Sequence, residues 1–192
     1  MKRSVITASI AALMTSSAYA QYDTAKETAS GTVGNIKLKS NLDRPSDGFC
    51  IDVIGFSPYE RLDLPLIAHN CKSGLHKDQA MSVLNNGQIY LPAYDKCVTA
   101  IAPHTRALPG SSLMARDCGE HSNFLQAAPL QLFNWLNGRI TLRNSDLCIT
   151  AGERSDQTSS SLHRWRALTL QICNNTPSER IEWKFVAGIT EK

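Results

Sequence analysis

The sequence predicts an all-β chain closed as a β-trefoil, three lobes around one axis, on three observations. One unit recurs three times. Its first cysteines fall at positions 50, 97 and 148, steps of 47 and 51 residues. Each unit also holds a second cysteine in phase, 21, 21 and 25 residues after the first. Finally, Ile36 and Leu38, Ile89 and Leu91, and Ile140 and Leu142 each alternate with polar neighbours, which is the period of a half-buried strand. No window keeps a helical period for three turns, so almost no helix is expected beyond a short turn at Ala127-Ala128-Pro129. A single unit of this size cannot bury its own apolar face. Closing three around an axis removes the sheet edges. An open solenoid of three units would need polar caps at both ends.

Taken in order, the chain starts with a leader-like stretch. Lys2 and Arg3 precede an apolar run from Val5 to Met14, and Ala18-Tyr19-Ala20 stands before Gln21. This is the pattern of a secretory signal peptide over residues 1–20, cleaved after Ala20. A membrane anchor is the alternative, but the run is too short to span a bilayer. Residues 21–33 are polar without apolar period, so they read as a flexible tail, either a bare linker or an arm that docks on a partner.

The trefoil domain is expected over residues 34–192. Gly34-Asn35-Ile36-Lys37-Leu38 leads to Cys50-Ile51-Asp52 and on to Cys71. Gly87-Gln88-Ile89-Tyr90-Leu91 stands ten residues before Cys97-Val98-Thr99, with Cys118 beyond. Gly138-Arg139-Ile140-Thr141-Leu142 stands ten before Cys148-Ile149-Thr150, followed by Leu168–Cys173 and Ile181-Glu182-Trp183. Asn86-Gly87, Asn137-Gly138 and Pro109-Gly110 mark turns between strands.

The formal net charge is +3, of which Lys2 and Arg3 supply two. Nothing in that balance favours a nucleic acid, and no later stretch suits a membrane span. Six cysteines in an exported chain imply three disulfides, and six allow fifteen connectivities. The repeat selects Cys50–Cys71, Cys97–Cys118 and Cys148–Cys173. No cysteine pair has zinc-ligand spacing, and His76, His104, His121 and His163 are scattered as surface residues would be. No metal or cofactor is expected.

With the repeat, the paired cysteines and the closing Glu182-Trp183 in view, the chain resembles the ricin B-type lectins, trefoils whose lobes often carry a Q-x-W motif. The candidate registers are Gln79-Ala80-Met81, Leu130-Gln131-Leu132 and Ile181-Glu182-Trp183, each ending on an apolar core position. The resemblance implies a sugar site built from an acid two residues after the first cysteine, a ring two residues before the second, and polar residues entering the motif. In the first unit these places hold Asp52, His69, Asp78 and Gln79. A carboxylate accepts from two adjacent hydroxyls, and a ring packs on the apolar face of a sugar. The plainer account of Asp52 is a turn acid capping its own backbone, and that of His69 an exposed histidine. Thr99 and Arg116, and Thr150 and Gln171, take the corresponding places in the other units, which are expected to serve the core.

No G-x-S-x-G or H-E-x-x-H occurs, so no enzyme is expected. The leading expectation is a secreted or periplasmic carbohydrate-binding module that takes a glycan or glycoconjugate on its first repeat. The alternative is a non-catalytic subunit that contacts another secreted protein, similar to the trefoil delivery subunits of cytolethal distending toxins. Its docking would use the tail and the region of Trp135 or Trp165.

Overall fold

A computed structural model describes residues 31–158 and 160–188. The expected signal segment and all but the end of the tail lie outside the described residues. Val33, assigned to the tail from sequence, opens the first strand.

Each unit supplies four main strands. The first has β1 (Val33–Leu38), β2 (Phe49–Asp52), β3 (Ile67–Asn70) and β4 (Met81–Val83). The second has β5 (Ile89–Leu91), β6 (Lys96–Ala100), β7 (Leu113–Arg116) and β8 (Phe133–Leu136). In the third, β9 (Arg139–Leu142), β10 (Leu147–Ala151), β12 (Arg164–Ile172) and β13 (Trp183–Ala187) repeat the order, and the short β11 (Asp156–Gln157) lies on β12. The turn expected at Ala127-Ala128-Pro129 is a single helical turn, α1 (Ala127–Leu130). A second one, α2 (Ser178–Ile181), was not foreseen. Four residues are too few to leave a period.

The outer strands of each unit build a barrel. β4 pairs β5, β8 pairs β9, and β13 pairs β1, so the third hairpin joins the first and last of the described strands. Between hairpins, Gly34 pairs Met81, Phe133 N donates to Gly87 O at 2.9 Å, and Trp183 N donates to Gly138 O at 2.7 Å. These three contacts are equivalent, and they close the ring that an open solenoid would lack. The inner strands form a three-hairpin cap, β2–β3, β6–β7 and β10–β12. Ile36, Leu38, Ile89, Leu91, Ile140 and Leu142 point inward, none more than 3% exposed. Ile51, Val98 and Ile149 continue this core into the cap at 0%. The fold is the all-β trefoil expected from the sequence, with Cys50–Cys71, Cys97–Cys118 and Cys148–Cys173 each bonded within one lobe. Each closed loop of about twenty residues is worth about 3 kcal/mol on a chain-entropy estimate.

Gly87 shows how closely the hairpins approach. Its φ is +95°, and a Cβ there would lie 2.5 Å from Phe133 O. Gly87→Ala is therefore expected to cost more than about 2 kcal/mol, the cost of the left-handed backbone, because the Phe133 O clash adds to it; the readout is a lower urea midpoint. An alanine at Gly110, equally left-handed but with nothing within 4 Å, bears the backbone cost only.

The first and third lobes are latched by charge. Arg166, 6% exposed, donates to the carbonyls of Gly152 and Glu153 at 2.7 Å each and to the Asp43 carboxylate. Its guanidinium carbon lies 5.0 Å from the Phe49 ring centre. Arg164 Nε reaches the same carboxylate at 3.1 Å. Burial pushes the Asp43 carboxyl up, but hydrogen bonds from Ser155 and Arg166, with the Arg166 charge, outweigh it and hold the pKa at about 2.

Candidate functional site

Matching registers put equivalent residues of the three lobes in equivalent places. Cys50 faces His69 across β2–β3, Cys97 faces Arg116 across β6–β7, and Cys148 faces Gln171 across β10–β12. Two residues along, on the same outward face, stand Asp52, Thr99 and Thr150. The amide that reaches this position is Gln79 in the first lobe and Gln131 in the second, where its Nε2 donates to Thr99 Oγ1 at 2.8 Å. The second motif is thus Gln131-Leu132-Phe133, one residue later than the sequence register. Phe133 is the core residue at 4% exposure, and Leu132 is only half-buried.

In the first lobe Asp52, His69, Asp78 and Gln79 do come together. Gln79, wholly buried, donates through Nε2 to Asp52 Oδ2 at 2.8 Å and to Asn70 O at 3.1 Å. Its Oε1 accepts from Lys72 N at 3.0 Å. Every polar atom of the Gln79 side chain is thereby committed to fixing the Asp52 carboxylate and the loop after Cys71. Asp52 ends a strand and accepts from a residue of another element, so it is not a turn acid bonded to its own backbone. Asp78 is tied to the same strand end, because Val53 N donates to Asp78 O at 3.0 Å. His69 is buried rather than exposed. Its Nδ1 lies 3.1 Å from Asp52 Oδ2, but without hydrogen-bond alignment.

The sequence missed two participants. Lys72, which follows Cys71, places its ammonium against the Asp78 carboxylate and 3.7 Å from Asp52 Oδ2. It covers both acids, which are 2% (Asp52) and 6% (Asp78) exposed. Trp165 is the other. Named from the sequence only as part of a docking region, it lies in β12 directly opposite His69, a pairing that only the sheet order reveals. Trp165 is 37% exposed. His163 stacks on the His69 ring with centres 5.7 Å apart and planes 5° from parallel. Beside this group Tyr94 donates its hydroxyl to Glu60 at 3.2 Å. Burial, then the charges of Glu60, Asp78 and Asp52, push the Tyr94 hydroxyl well above its ordinary range.

The other lobes do not repeat this chemistry. Thr99 and Thr150 turn their hydroxyls onto the carbonyls of Cys97 and Cys148, at 3.0 Å each. Arg116 is engaged by the Glu120 carboxylate. Gln171 donates to Thr169 Oγ1 at 3.1 Å, and Ile181 replaces the motif amide. Among the described residues, no cluster of His, Cys, Asp or Glu is placed to hold a metal ion, and no helix is long and apolar enough to cross a membrane.

No family model and no curated protein sequence matches the chain. Solved structures do match its fold. The β-trefoil lectin of the Vibrio vulnificus hemolysin/cytolysin, solved with N-acetyl-D-lactosamine bound, superposes with a TM-score of 0.54 at 14% identity, over 85% of this chain and all of that one. Agglutinin from Abrus precatorius gives 0.55 at 23% identity, over 81% of this chain and 48% of that one. The C-half of the earthworm R-type lectin, in complex with GalNAc, gives 0.50 at 14% identity, over 81% and 98%. At these identities the likeness is one of fold, the β-trefoil.

Proposed function

We propose that this chain is an exported carbohydrate-binding module, not an enzyme, and that its first lobe holds the glycan. The observation that carries this reading is the Gln79–Asp52 pair. A wholly buried amide fixes a carboxylate at the one register position where the other two lobes have threonines that donate to their own strand's carbonyls. Asp52 accepts from sugar hydroxyls, Asp78 offers a second acceptor, and His69 with Trp165 supplies an apolar surface for the ring. The trefoil lectins of like fold that were solved with sugars support it, though fold alone does not assign a ligand. Three disulfides agree with a secreted or periplasmic location. One site per chain makes binding weak unless the protein is multivalent. On a glycan array, the mature protein is expected to bind a defined set of glycans, with Asp52→Ala lowering that binding at least tenfold, roughly the value of one charge-assisted hydrogen bond. Silence of the folded wild-type protein across the array would overturn the proposal.

A second reading, a non-catalytic subunit that contacts another secreted protein, draws on the apolar residues left in solvent. Leu136, next to Trp135 on β8, is 72% exposed, and Phe124 is 77% exposed. Co-purification of a second exported chain, lost on Leu136→Asp, supports this reading.

A further inference from the structure

The first-lobe site is already occupied, by the protein itself. Asp52 and Asp78 aim their Oδ2 atoms at one ammonium, that of Lys72. Their Oδ1 atoms are enclosed and have no hydrogen-bond partner. The acids themselves are all but sealed from solvent, whereas the Lys72 side chain is 22% exposed. The ammonium therefore enters from the solvent side, as a ligand would. Tyr94, which senses both acids, also donates to a third carboxylate, Glu60. A neutral sugar that pushed Lys72 aside would leave two enclosed carboxylates without a counter-charge, which is costly. A ligand bringing its own ammonium makes an exchange of like for like.

Resting on the glycan-binding reading above, we infer that the site selects sugars with a free primary amine, and that Lys72 is an internal competitor for the place of that amine. The stacked His69 and His163 rings, with Trp165 paired opposite His69, favour an amino sugar over a lysine side chain of a peptide, because a sugar offers a flat C–H face to pack there. Self-occupancy lowers apparent affinity by the fraction of time the site stands open. Removing the competitor then strengthens binding.

Calorimetric titration of glucosamine, N-acetylglucosamine, galactose and a lysine-ended peptide into the wild-type protein, Lys72→Ala and Lys72→Gln tests this. Glucosamine is expected to bind Lys72→Ala about tenfold more tightly than wild type, with little response to the acetylated sugar. Ethylammonium is expected to raise the Tm of Lys72→Ala but not that of wild type, and adding Asp78→Asn should abolish the rescue. Lys72→Gln, which keeps most of the aliphatic stem and a neutral donor, guards against a folding defect in the alanine variant. Preference for galactose or N-acetylglucosamine overturns the amine assignment and leaves the lectin reading standing. Stronger binding of the peptide overturns the sugar assignment. No response of any folded variant to any of the four, or to ethylammonium, overturns the amine assignment, while the glycan array decides the lectin reading.

Discussion

Trp183→Ala is expected to lose about 3–5 kcal/mol of stability, the range for deleting a large buried aromatic. Trp183 is wholly buried at the joint between β13, β1 and the third cap hairpin. Its Nε1 donates to Ile149 O at 2.9 Å, so the indole fills the core and also satisfies a cap-strand carbonyl. Trp183→Phe separates the two roles. It keeps most of the apolar volume but leaves that carbonyl unpaired, and should cost about 1–3 kcal/mol. Urea unfolding followed by circular dichroism measures both. A loss under 1 kcal/mol for the alanine variant would mean that the third lobe does not seal the barrel.

Asp43→Asn is the second large effect, an expected loss of about 2–3 kcal/mol at neutral pH. A buried ion pair that loses one partner costs about 3–5 kcal/mol. The lower figure applies because the Asp43 side chain is 37% exposed and Arg166 retains the Gly152 and Glu153 carbonyls. The same pair sets a pH dependence. The Asp43 pKa is lowered in the folded protein from 3.8 to about 2. Its stabilisation is therefore present above the unfolded value, fades as pH falls below 3.8, and is gone once pH has passed through about 2. Urea midpoints at neutral pH, at pH 3 and at pH 2 should fall for the wild type, and fall less for Asp43→Asn. Parallel curves for the two proteins would remove Asp43 from the acid limb.

The architecture was legible because its signals are redundant. Ile36, Ile89 and Ile140 recur at the same point of each unit, and the cysteines keep phase with them. The Asp52, His69 and Gln79 grouping was legible through the resemblance to the ricin B-type lectins, while strand period alone fixes only Asp52 and His69, each two residues from a cysteine. The motif register of the second lobe was not. In Leu130-Gln131-Leu132-Phe133 several apolar residues compete for one core position, and only the bond from Gln131 to Thr99 decides between them. Lys72 was hidden because a flexible side chain on a loop has no period. Trp165 was hidden because its neighbour His69 lies far away in sequence, across a pairing of two different lobes.

The hairpin made of β1 and β13 has a consequence for how the molecule comes to exist. Val33 O accepts from Gly188 N at 2.9 Å, so the ring is fastened by residues from opposite ends of the described chain. Among the described strands, β1 is synthesised first and must wait, half-paired, for β13, the last. During that interval its open edge is a hazard for association with another chain. Synthesis cannot assemble this ring lobe by lobe, and a translocated chain would complete it only after its C-terminal strand had emerged. The same adjacency permits a rearranged gene: residues 31 and 188 bridged by a short linker, with new ends opened at Asn137-Gly138, would encode the same ring with an unbroken third hairpin.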